Sequence, residues 1–142
     1  MPSPPPKWCV PLSGMVKVNF DAAYKEDTGA AAWGFVVRND NGQFLAAAAG
    51  KLEHIRSPLQ AEANACLKAI EGASELGAQR IVIESDCMTL VNALKGGVHD
   101  ASELGVLFTE PRSMCLVSFQ SHVFSFCHRV CNKVTHCLAQ FC

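Results

Sequence analysis

Three carboxylates, Asp21, Glu62 and Asp86, are the residues of this chain whose types and settings suggest chemistry. Residues 15–21 (Met-Val-Lys-Val-Asn-Phe-Asp) and 80–86 (Arg-Ile-Val-Ile-Glu-Ser-Asp) both read as strands, which puts Asp21 and Asp86 at strand carboxyl ends. Glu62 lies three residues after Leu59 and four before Cys66. In a helix that spacing sets it at the edge of the apolar face. If the two strands are parallel neighbours, their acids sit side by side at the edge where open α/β sheets bind ligands. Acids from three separate elements would then converge. Such a cluster suits hard cations such as Mg²⁺, which take oxygen ligands and keep several waters. A pair of these ions about 3.5–4 Å apart activates an attacking water and stabilises a leaving oxygen, the chemistry of phosphodiester hydrolysis. Each acid also has a plain structural reading. Asp86 can cap the helix after it, Asp21 can simply end a strand, and Glu62 can be a solvated helix former.

The elements that must position these acids follow from pattern. Residues 31–38 alternate Trp33, Phe35 and Val37, and residues 43–50 return as a third strand. Between them, Asn41-Gly42 is expected to supply the positive φ values of a tight hairpin turn. The result is an antiparallel three-strand meander. Ser57, Pro58 and Gln60 read as a cap, first helical residue and capping box, and Gly77 as the terminator after Leu76. The strand at 80–86 and a helix at about 87–94 follow, so strands and helices alternate and parallel pairing with a right-handed crossover is expected. Residues 102–115 have helical character that Pro111 should interrupt. A fifth strand is expected within 117–126, and a last helix over 132–141, where Val134, Leu138 and Phe141 have helical spacing.

Composition bounds the rest. A length of 142 residues favours one domain, divided here into a proline-rich lead-in (1–14) and a folded domain (15–142). Trp8 in the lead-in either docks on the domain or lies free. Apolar residues at 49% and charged residues at 18% fit a globular chain. A net charge of −1 excludes a strongly basic nucleic-acid binder, so any grip on phosphates must come from a local patch or bound metal ions. No apolar run spans a membrane and the first residues do not read as a signal peptide, so an intracellular location is expected, nucleus or cytoplasm. The eight cysteines are read as thiols.

The segments Val16-Lys-Val-Asn-Phe-Asp21-Ala-Ala, Ala32-Trp-Gly-Phe-Val-Val-Arg-Asn-Asp-Asn-Gly42, Gln60-Ala-Glu62-Ala and Ile83-Glu-Ser-Asp86-Cys resemble the ribonuclease H-like domain found in plant genomes, often related to non-LTR retroelements. The resemblance covers about residues 8–140. It implies an α/β fold of ribonuclease H type, a five-stranded mixed sheet flanked by helices. It implies hydrolysis of the RNA strand of RNA–DNA hybrids by a monomeric domain, with Mg²⁺ as cofactor and Mn²⁺ as a substitute. Asp21 would be shared by both metals, with Glu62 and Asp86 on either side. Active members of the fold usually carry a fourth acid on the last helix, four residues after an Asn. Here His136 follows Asn132 at that spacing, as is frequent in the plant subfamily. A neutral imidazole can bind a metal but is a poorer partner for Mg²⁺ than a carboxylate. Enzymes of the fold also place a His on the loop before this helix, where this chain has Phe126, with His128 nearby. The candidate nucleic-acid contacts are Arg129, Asn132 and Lys133, together with Asn19 on the strand face of Asp21.

Two further readings come from other classes. A non-catalytic nucleic-acid-binding module of the same fold accommodates His136 and Phe126. A zinc-stabilised region would use Cys127, His128, Cys131, His136 and Cys137. Those residues contain no Cys-x₂-Cys pair and fit no zinc-finger spacing, so no zinc is expected.

Overall fold

The computed structural model describes residues 6–96 and 105–140. Strands β1 (Val16–Tyr24), β2 (Ala31–Arg38) and β3 (Phe44–Leu52) form the antiparallel meander. The β2–β3 turn differs from the expected one. Of the Asn41-Gly42 pair only Gly42 takes a positive φ, 80°. Its amide donates to the Asn39 carbonyl at 3.0 Å, and the Asn39 side chain accepts from the amides of Asn41 (3.0 Å) and Gln43 (2.9 Å). This is the three-residue hairpin loop in which glycine follows an ordinary turn.

Helix α1 (Pro58–Glu75) starts as the sequence indicates. Gln60 N–H donates to Ser57 Oγ at 3.1 Å, while Gln60 Oε1 accepts from the Arg56 amide at 2.7 Å, one residue earlier than an ideal capping box. Gly77, at φ 78°, closes the helix, and the Ala78 amide reaches back to the Ala73 carbonyl. Strand β4 (Arg80–Ser85) then pairs parallel to β1. After α2 (Met88–Gly96) and α3 (Gly105–Ser118), strand β5 (Ser121–Phe126) pairs parallel to β4, giving sheet order β3-β2-β1-β4-β5. Pro111 does not break α3. It lies inside the helix on the buried side, where its ring removes a single backbone hydrogen bond. The fifth strand starts later than expected because Val117 and Ser118 finish α3. A 3₁₀ turn (Arg129–Asn132) leads into α4 (Lys133–Gln140). The expectations at 102–104 and Phe141 fall outside the described residues.

The core lies between the sheet and α1–α3. Val18 and Phe20 of β1, Phe35 and Val37 of β2, and Ile81 and Ile83 of β4 meet Cys66, Ala69, Ile70 and Ala73 of α1, with Leu90 and Phe108 closing the far side. Alanines and Gly72 let α1 approach closely: a Cβ on Gly72 would lie 2.3 Å from Phe35 Cζ, and that ring is held by stacking on Trp33 at 5.7 Å. Helix α4 packs on the opposite face, where Gly34, the neighbour of Phe35 on β2, meets it. No described helix is long and apolar enough to cross a membrane. Among the described residues seven cysteines are free thiols.

Gly72→Ala should therefore run against helix propensity. In an open helix the change stabilises by about 1 kcal/mol. Here overpacking against Phe35 should cost about 1–3 kcal/mol, read as a lower midpoint in urea unfolding with an unchanged slope. A more stable variant would contradict this packing.

Candidate acidic centre

The three carboxylates are brought together by a mismatch in strand length. The parallel pairing of β1 with β4 ends at Asn19 opposite Glu84, yet β1 continues to Tyr24 along β2, with Asp21 opposite Gly34. Asp21 is thus not the end of its strand, as the sequence suggested. It stands just beyond the end of its parallel neighbour, where the chain leaves β4 through Asp86. It is nonetheless 3% exposed. Its Oδ1 accepts from the Ala22 amide at 2.9 Å, and its Oδ2 lies 2.7 Å from His136 Nδ1 on α4.

Asp86 does not cap α2. The Cys87 amide donates to Ser85 Oγ at 3.0 Å, while Asp86 Oδ2 faces Arg129 Nε at 3.4 Å. The guanidinium is 78% exposed, so this ion pair is weak. Burial raises the Asp86 carboxyl, the Asp21 charge raises it further, and Arg129 and His136 oppose both effects. Glu62, near the start of α1, turns inward. Burial, then the charge of Asp21 and its hydrogen bond, then the charge of Asp86 push its carboxyl up to about 10, with the Ala22 amide working the other way. Its Oε2 is buried and has no hydrogen-bond partner.

An orphaned, buried carboxylate oxygen beside two other acids marks a place short of positive charge. All three donors are hard oxygens, which fits a divalent cation of the Mg²⁺ or Mn²⁺ type. The side chains are not pre-set around a single ion: among the described residues no three His, Cys, Asp or Glu form a ready ligand group. The two oxygens of Asp21 serve Ala22 and His136 instead. Of the residues of the zinc reading, Cys127, His128 and Cys131 line one surface cavity, while His136 turns to Asp21 and Cys137 is exposed.

Helix α4 reaches Asp21 through two devices. Asn132 Nδ2 donates to the Phe20 carbonyl at 2.9 Å, pinning the helix start to β1. Gly34 then admits the helix itself: a Cβ there would lie 3.0 Å from Ala139 N and 3.1 Å from Thr135 O. Asn19 and Asn132, expected as nucleic-acid contacts, are 2% and 1% exposed. Their burial corrects that expectation and gives them structural duties. Asn19 accepts from Trp8 Nε1 at 2.9 Å and donates to Glu84 Oε1 at 3.0 Å. Lys133 is exposed at the start of α4, near Arg129 in sequence.

Sequence reasoning missed Gly34, whose only signal is a lone glycine inside a strand pattern. It also missed the buried Lys17–Glu84 ion pair at 3.2 Å, roofed by Trp8. Alternation hinted at this pair by placing Lys17 on the face of Asn19 and Asp21.

Residues 19–142 match the family model described as reverse transcriptase-like. A search of curated proteins found no match. Among solved structures the chain is similar to ribonuclease H1 of the halophilic archaeon Halobacterium salinarum NRC-1, at TM-score 0.80 and 24% identity over 89% of this chain and 95% of that one. It is also similar to the N-terminal ribonuclease H domain of Rv2228c from Mycobacterium tuberculosis, at TM-score 0.79 and 19% identity over 89% and 91%. A third is LC11 ribonuclease H1, solved in complex with an RNA/DNA hybrid, at TM-score 0.77 and 19% identity over 87% and 92%. At these identities the likeness is one of fold.

Two predictions follow from the centre. Gly34→Ala should push α4 away and lose the imidazole proton signal that the Asp21–His136 contact protects from exchange. Gly50→Ala, crowded instead against Trp33 at 2.7 Å, should lower stability but keep that signal. Loss in both variants, or in neither, would remove Gly34 as the seat of α4. The folded Glu62 holds its proton up to about pH 10, against an ordinary value of 4.5, so its stabilising effect is complete below 4.5 and is lost as pH rises toward 10. In chelator, the melting temperature should fall as pH rises across that window, and Glu62→Gln should flatten the fall and melt higher at its alkaline end. Parallel curves for the two proteins would contradict the burial of this acid.

Proposed function

Since this chain belongs to the reverse transcriptase-like family, we propose that it is a metal-dependent endonuclease hydrolysing the RNA strand of RNA–DNA hybrids. The observation that carries this reading is the meeting of Asp21, Glu62 and Asp86, with a buried Glu62 oxygen left without a partner. Structural neighbours that are ribonucleases H, one of them solved with an RNA/DNA hybrid, support it. Asp21 takes the central place, Glu62 and Asp86 flank it, and His136 occupies the fourth position. Mg²⁺, or Mn²⁺ in its place, would supply charge neutralisation and an activated water when bound. The chain's own side chains do the rest. The Ala22 amide and His136 orient Asp21. Arg129, exposed beside Asp86, offers a cation to a backbone phosphate, and Lys133 adds a second charge at the start of α4. We also infer kinship with the ribonuclease H-like domains of plant genomes that are related to non-LTR retroelements, from the four motif segments alone.

A second reading, a binding module without activity, is favoured by one contact. His136 already takes the Asp21 oxygen at 2.7 Å that a cation would need. A labelled hybrid incubated with the purified protein and Mg²⁺ or Mn²⁺ separates the two. Cleavage is expected, Asp21→Asn should abolish it, and His136→Asp should raise the Mg²⁺-dependent rate. Hybrid binding without cleavage under either metal would overturn the nuclease reading in favour of the second.

A further inference from the structure

Strand β3 is a sheet edge, and it lacks most of the features that keep edges from pairing. Its sequence is Phe-Leu-Ala-Ala-Ala-Ala-Gly-Lys-Leu, with no proline and a single charge, Lys51. The opposite edge, β5, is six residues long and carries two serines and a histidine. A bulge opposite Arg38 disturbs only the start of β3: Arg38 pairs with Phe44 and Val37 with Ala46. Beyond it the ladder with β2 is regular through Leu52. Phe44 and Leu45 are 62% and 45% exposed. Edges are commonly blunted by charge, proline, shortness or a covering element. Residues 45–50 have no charge or proline, and the helices lie mainly over β1 and β2.

We propose that β3 is an interface that pairs antiparallel with β3 of a second copy of this chain, about a two-fold axis at Ala48. Three observations select this occupant. First, the strand is self-complementary: Leu45 falls opposite the partner copy's Lys51, Ala46 opposite its Gly50, and Ala47 opposite its Ala49, so no like charges meet. Second, side-chain direction is kept. Ala47 and Ala49 share the α4 side with Val36 and Gly34, and this register sets like sides together. Third, small residues at the centre let two backbones approach. A two-fold contact also closes on itself, which extends the sheet to ten strands without seeding a filament. The Lys51 stem covers the exposed Leu45 while its ammonium stays in water. β1, with Asp21, lies two strands away, so the acidic centre stays open. The interface is a single strand pair, smaller than a standard interface, so the dimer is weak and forms in the micromolar range.

Sedimentation of the full chain from micromolar to near-millimolar concentration tests this. The mass should climb from one chain toward two and stop there. Leu45→Glu places a carboxylate opposite Lys51 and should retain dimerisation. Leu45→Lys sets like charges together at two symmetric points and should dimerise about tenfold more weakly than Leu45→Glu. Adding Lys51→Glu should reverse the order, so that Leu45→Lys then pairs and Leu45→Glu repels. These double variants decide the matter if a single variant folds poorly. A mass of one chain at every concentration would overturn the proposal. So would growth past two chains, or equal association of the Lys and Glu variants.

Discussion

The structure depends on how an almost fully buried carboxylate is tolerated at Asp21. An ionised acid out of water is costly unless hydrogen bonds and nearby charge compensate. The sheet sets the problem, because β1 outruns β4 and presents Asp21 to a gap between elements. The solution recruits three parts of the chain. The Ala22 amide takes one oxygen and His136 the other, while burial first, and the Asp21 charge second, raise the Glu62 carboxyl. Each part has its own support. His136 depends on α4, α4 on the space at Gly34 and the Asn132 pin, and Glu62 on the Ser57 cap that fixes where α1 begins.

The same face of β1 carries a second polar layer that serves structure. Lys17 and Glu84 are buried together, with Asn19 and the Cys9 carbonyl completing their hydrogen bonds and Trp8 lying over them. A buried ion pair adds little net stability, but losing one partner is expensive. Its value here is register. Lys17 on β1 and Glu84 on β4 meet only in the parallel alignment that sets Asn19 opposite Glu84, and a one-residue slip would turn their side chains to opposite faces. That alignment fixes the distance along the sheet from Asp21 to Asp86. The docked lead-in therefore bears indirectly on the acidic centre.

Much of this was legible in the sequence, for identifiable reasons. Strong alternation in β1 and β2, the Ser57–Gln60 start and the Gly77 stop are local signals, and they located β2 and α1 closely, whereas β1 runs on past the expected Asp21 to Tyr24. Alternation set Asp21 on one face of β1 and helical period turned Glu62 inward, but the expectation of a strand end at Asp21 failed, because β1 runs on along β2 past the end of β4. What stayed hidden depends on contacts distant in sequence. Nothing local says that Asn19 and Asn132 turn inward, since each is satisfied by residues far along the chain. Pro111 looked like a break because its cost is local, whereas the burial that holds α3 together comes from other elements. Asp86 looked like a cap because Ser85, one residue earlier, was not seen to take the Cys87 amide.

His136 is where physical chemistry constrains the centre most. When ionised, Asp21, Glu62 and Asp86 bring three negative charges, and a neutral imidazole adds none. Two divalent ions would bring four positive charges to a place already facing Arg129. A centre with a fourth carboxylate would balance that charge; this one would not, so the second ion is the one whose affinity suffers. The imidazole also changes the kind of ion favoured. Nitrogen is a better donor to Mn²⁺ than to Mg²⁺, which holds to oxygen and its own waters. The contact that holds Asp21 would thus weaken any hold of the centre on Mg²⁺. One side chain would then both support the fold and limit such chemistry, because a cation would have to compete with it for the same Asp21 oxygen.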